Sequence, residues 1–130
     1  MRFLLLVLFY FSIDTLCAQF GGANIVPPKK IIKEATEQSE LIIIARIDTI
    51  SSIGFMFKAK ATIEGTLKGR FTRDTITYFF FAENFPANMM KQRMILFLKY
   101  NNEENEWGVA NETSQFLYLQ KTYKRLQKYL

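Results

Sequence analysis

The sequence predicts a mainly β fold, a small barrel or sandwich of about five strands with a short helix before it and an amphipathic helix after it. Three observations predict this. Residues 55–63 alternate Phe55, Phe57, Ala59, Ala61 and Ile63 with Met56, Lys58, Lys60 and Thr62, the period of two that marks a strand with one wet face. Other short runs rich in β-branched and aromatic residues lie between turn-forming clusters. The last stretch changes to spacings of three and four, the period of a helix with one apolar stripe.

Residues 1–18 read as a signal peptide. Arg2 precedes an unbroken apolar run from Phe3 to Phe11, and the segment ends in small residues, with cleavage expected after Ala18. The run is too short to span a bilayer, which needs roughly 20 apolar residues, so no transmembrane segment is expected in the mature chain. Cys17 is the only cysteine. Asp14, Thr15 and Leu16 before it depart from the small-residue pattern that directs lipidation, so no lipoprotein anchor is expected. Residues 19–28 form an irregular lead-in closed by Pro27 and Pro28.

A single domain then covers residues 29–130. A short helix follows the prolines, with Ile31, Ile32 and Ala35 on its apolar side. "LIIIARIDTI" (41–50) is continuously apolar at its start, as in a central strand buried on both faces. "SSIG" breaks it before the alternating strand at 55–63. "IEGTLKG" (63–69) is a basic turn whose Gly65 and Gly69 are structural turn positions; a phosphate-cradling loop would lead into a helix, whereas strand alternation soon resumes here. "DTITYFFFA" (74–82) and "RMILFLKY" (93–100) are the third and fourth strands. The polar "NNEENE" turns the chain into "WGVAN" (107–111), a fifth strand antiparallel to the fourth. The C-terminal helix is placed at 115–130, with Phe116, Leu119, Tyr123, Leu126 and Leu130 on one face.

Composition excludes several chemistries. The chain has no histidine, and cleavage after Ala18 leaves no cysteine. Serine and cysteine triads, imidazole acid–base catalysis, thiolate metal sites and disulfides all need residues the mature chain lacks. The carboxylates Glu40, Asp48, Glu64, Asp74 and Glu83 are scattered singly, with no spacing that pairs two of them. "NNEENE" lacks the spaced acids and glycine of a calcium loop. No catalytic, cofactor or metal residue is assigned, and no enzyme is expected. "NET" (111–113) matches the glycosylation acceptor pattern.

The net charge is +5 and the isoelectric point about 9.4. For an exported chain the anionic neighbours are envelope surfaces and acidic proteins rather than nucleic acid. After Glu112 there is no acid, while Lys121, Lys124, Arg125 and Lys128 follow. Alternation in "YFFFA" sends Tyr78 and Phe80 one way and Phe79 and Phe81 the other. The candidate interaction surface is therefore Tyr78 and Phe80 together with Lys121, Lys124, Arg125 and Lys128.

The order "SELIIIARIDTI", "FKAKATIEGTLKG", "DTITYFF", "RMILFLKY", "WGVANETSQF" resembles small exported bacterial proteins related to the tissue-inhibitor-of-metalloproteinases and netrin modules. The likeness runs from about residue 30 to 118. It implies a five-stranded OB-like antiparallel barrel. It does not carry inhibition with it, because inhibitors of that superfamily present an N-terminal cysteine held by disulfides. The expected function is an exported non-catalytic binding module acting on a protein or an anionic envelope surface. The alternatives are a soluble ligand-binding or inhibitor-like barrel and, third, a carboxylate-dependent enzyme.

Overall fold

A computed structural model describes residues 26–111 and 114–130. The expected signal segment with Cys17, most of the expected lead-in, and two of the three "NET" residues lie outside the described residues.

Helix α1 (Lys29–Gln38) starts after Pro28, whose extended backbone stands at the N-cap while its carbonyl accepts the first helical hydrogen bond, from the Ile32 amide. It buries Ile32, Ala35 and Thr36, with Ile31 only half-buried at the margin. Five strands follow: β1 (Leu41–Ile53), β2 (Met56–Lys68), β3 (Thr75–Phe80), β4 (Arg93–Asn101) and β5 (Glu106–Val109). They pair in the order β1-β2-β3-β5-β4, and β4 returns to β1 to close the barrel. A short β6 (Gln115–Leu117) pairs antiparallel with the first half of β4, and helix α2 (Gln120–Gln127) ends the chain.

The pairings β1–β2, β1–β4, β2–β3 and β4–β5 are antiparallel; β3 and β5 run parallel, matched at Tyr78 with Trp107 and Phe79 with Gly108. The parallel pair follows from counting. Strict alternation of direction cannot close around an odd number of strands, so one pair must run the same way. Register shifts in β1–β2 between Ile42 and Ile43, Ile44 and Ala45, and Ile47 and Thr49 supply the local bending that closure requires.

The first half of β1 is buried on both sides, as its apolar run predicts. Leu41, Ile43, Ala45 and Ile47 point into the barrel with Ala59, Ala61, Ile76, Tyr78, Phe80, Met94, Leu96 and Leu98. Ile42 and Ile44 point outward and meet Ile95, Phe97, Ile32, Ala35 and Leu126. The helices therefore sit over the β1–β4 seam, covering a second core outside the barrel.

Several boundaries differ from the sequence expectation. β1 runs on through "SSI", and the hairpin turn falls at Gly54–Phe55. Phe55 thus leaves the apolar face of β2 and stands in the turn. At the other end, Gln115–Leu117 pairs with Met94–Leu96, so α2 begins at Gln120 rather than at 115. Among the described residues no helix is long and apolar enough to cross a membrane.

Candidate functional site

The glycine-rich corner between β2 and β3 is structural. β2 passes straight through Gly65, which faces Ile44 in the ladder, so Gly65 is a strand residue and not a turn position. A Cβ there would meet nothing within 4 Å. Gly69 is the turn: its φ is +83° and a Cβ would collide with the Glu40 carbonyl oxygen. Lys68, beside it, donates to the carbonyls of Thr36 (2.8 Å) and Ser39 (2.7 Å). These are carbonyls at the end of α1, where a cation offsets the partial negative charge. The lysine that gave the corner its basic look is committed to joining the first helix to the barrel.

Tyr78 and Phe80 are core residues, 0% and 2% exposed, which corrects their expected place on an interaction surface. Their partners across the ladder are Ala59 and Phe57, both buried, and this register decides which half of "YFFFA" turns inward. The Tyr78 hydroxyl donates to Gln115 Oε1 at 2.8 Å. Burial away from water pushes its phenol well above the ordinary value of 10.0. The outward members of the run are Phe79, half-buried, and Phe81, exposed.

The four C-terminal cations divide. Lys121, Lys124 and Lys128 are exposed and fall on neighbouring turns of one helix face. Arg125 is half-buried, and its Nη1 donates to the Pro27 carbonyl at 2.9 Å. It fastens α2 to the approach of α1. Leu126 and Thr122 on the opposite face are fully buried, so α2 packs on the barrel.

Three of the five carboxylates named in the sequence, Glu40, Asp48 and Glu64, take structural tasks. Glu40 Oε1 accepts from the Tyr100 amide at 3.0 Å, and Asp48 accepts from the Thr62 hydroxyl at 2.6 Å. Glu64 lies between Arg46 (3.3 Å) and Arg93 (2.6 Å). Arg93 in turn stacks over the Tyr118 ring at 4.6 Å. Among the described residues no group of acidic side chains gathers as metal ligands would.

What the structure does bring together is an open groove of about 1040 Å³ between the β1–β2 and β4–β5 turns. Phe55 is 80% exposed and Phe81 54% exposed, and both line it, along with Phe79, Tyr100 and Trp107. Edge-to-face contacts hold Trp107 against Tyr100 (5.2 Å) and Phe71 (6.1 Å). The opposing turn is fixed by Asn101 Oδ1, which accepts from the amides of Glu103 and Glu104. Asn105 closes the turn at a φ of 56°, a conformation asparagine adopts more readily than most residues. Strict alternation hid this site, because its most exposed residue, Phe55, belongs to a turn that continued strand periodicity disguised.

No known protein-family model matches this chain, and no curated protein matches it either.

Proposed function

We propose that this chain is an exported, non-catalytic interaction module of the cell envelope or extracellular space, and that the aromatic groove is its contact surface. The observation that carries the reading is the exposure of Phe55 and Phe81 on one open groove. A large exposed apolar patch on a small soluble domain marks an interaction site, and burying a phenylalanine against a partner is worth about 2 kcal/mol. Outer faces of strands near the first and last hairpin turns are also where small OB barrels take ligands. The apolar leader at residues 1–18 supports export, and the helix-then-barrel order supports the likeness to exported inhibitor-related modules.

A second contact, with an anionic envelope surface, is favoured at the two helices. There Lys121 and Lys124 on α2 and Lys128 at its C-cap are exposed, as are Lys29 and Lys30 on the neighbouring α1. Removing α2 would not isolate this contact, because it would strip Leu126 from the outer core. Point changes do. Full-length chains carrying F55S/F81S or K121E/K124E/K128E are expressed in their native host and the envelope-associated fraction is measured, with thermal unfolding as the folding control. F55S/F81S is expected to lose association at an unchanged unfolding midpoint. Undiminished association of F55S/F81S would refute the groove reading.

A further inference from the structure

The groove does not share the charge of the chain. The whole sequence carries +5, yet the charged residues lining the groove are Lys99 and three acids, Glu103, Glu104 and Glu106. None of the three carboxylates forms an ion pair among the described residues. They project from a turn whose backbone is already fixed by Asn101, beside the exposed rings of Phe55 and Phe81. Past Phe79, Tyr100 and Trp107 the groove continues into a second depression, where Lys60 and Arg73 are added.

At the Phe55–Phe81 end, away from Lys60 and Arg73, the acids and the exposed rings favour the same ligand. Carboxylates without partners attract cations, and aromatic faces attract them as well. Exposed phenylalanines offer apolar area and no hydrogen bonds, so they call for an apolar side chain rather than a run of hydroxyls. A uniform polyanion laid along the groove would meet three like charges at the β4–β5 turn.

We propose that the groove takes an extended peptide or protein segment in which a large apolar side chain is flanked by lysine or arginine. The apolar residue seats between Phe55 and Phe81, and its basic neighbours reach Glu103, Glu104 and Glu106. The assignment rests on the groove being the contact surface.

Trp107 is the single tryptophan of the chain and lines the groove, so its fluorescence reports occupancy directly. The mature protein is titrated with three capped hexapeptides, Lys-Lys-Phe-Leu-Lys-Lys, Gln-Gln-Phe-Leu-Gln-Gln and Glu-Glu-Phe-Leu-Glu-Glu, and with a neutral tetrasaccharide. The lysine peptide is expected to bind about tenfold tighter than the glutamine peptide at low salt, as three exposed ion pairs together supply. The gap should close at high salt. E103Q/E104Q/E106Q should erase the gap while keeping the weak glutamine-peptide binding, and F55S/F81S should remove binding of both. The proposal is overturned if the glutamate peptide or the saccharide binds as tightly as the lysine peptide, if the triple glutamine variant keeps the gap, or if no peptide binds. Envelope association of F55S/F81S decides the groove reading separately, so a wrong ligand class and a wrong surface give different results.

Discussion

Two glycines four residues apart in "IEGTLKG" should respond to the same substitution in opposite ways. Gly69→Ala forces an L side chain to a φ of +83°, which costs about 1–2 kcal/mol in strain. The new methyl also meets the Glu40 carbonyl and lies 3.3 Å from the Leu41 Cα. These are backbone atoms at the start of β1, held in place because the Glu40 amide donates to the Leu98 carbonyl at 2.9 Å. Relief therefore requires moving the β1–β4 seam or the corner itself, adding roughly another 2 kcal/mol. The total, about 3–4 kcal/mol, is a large share of the roughly 5–15 kcal/mol that holds a small domain together. Gly65→Ala, with open space around its Cβ and no left-handed φ, should be neutral or stabilise by up to about 1 kcal/mol through the unfolded chain. Urea unfolding followed by Trp107 fluorescence and far-ultraviolet circular dichroism measures both. With a slope of about 1.5 kcal/mol per molar, Gly69→Ala should lower the midpoint by about 2 M and Gly65→Ala should not lower it. Equal midpoints for the two variants, or a larger loss at Gly65, would refute the assignment of the turn to Gly69.

Leu126→Ala should cost about 2–4 kcal/mol in the same assay, because the side chain is fully buried among Ile32, Ile42, Ile95 and Phe97; a loss under 1 kcal/mol would mean α2 is not part of the core. Tyr78→Phe should cost about 1–3 kcal/mol by leaving Gln115 Oε1 buried without its donor. Because burial raises the Tyr78 pKa in the folded protein, its contribution to stability is intact below about pH 10 and falls above it, as the unfolded chain releases the proton that the folded one keeps. The wild type should lose stability more steeply than Tyr78→Phe above pH 10, which chemical denaturation at several pH values will show. Glu64→Gln breaks two ion pairs with half-exposed arginines and should cost only about 1 kcal/mol, less in high salt.

The fold was legible in the sequence where periodicity was strong and long. The double burial of β1 follows from "LIIIA", and the one-sided burial of β2 from alternation over 55–63. Alternation divides a strand into two sets without saying which faces inward. That choice needs the register to a neighbour, and for β3 the pairing of Phe57 with Phe80 and Ala59 with Tyr78 makes it. Register therefore buries Tyr78 and Phe80, against the sequence expectation, and turns Phe79 and Phe81 beside them outward. Likewise Phe116 fits a helical stripe with Tyr123 and Leu126, and only its tertiary partner, Ile95 across the ladder, makes it strand. The groove was least legible, because it is assembled from two turns and a strand pair distant in sequence, and its acids looked like an ordinary solvated hairpin.

The β3–β5 contact is matched at just two residue pairs, in the one parallel direction, whereas β1 is laddered along most of its length on β2. The barrel is thus a cylinder with one short zip, and the zip lies in the wall beneath the aromatic groove, since Phe79, Trp107 and Gly108 contribute to both. Opening should begin there, and amides of β5 should exchange with solvent faster than those of β1. A segment seated across the groove would bridge the two sides of the zip and slow that exchange, so that recognition and closure of the cylinder become the same event.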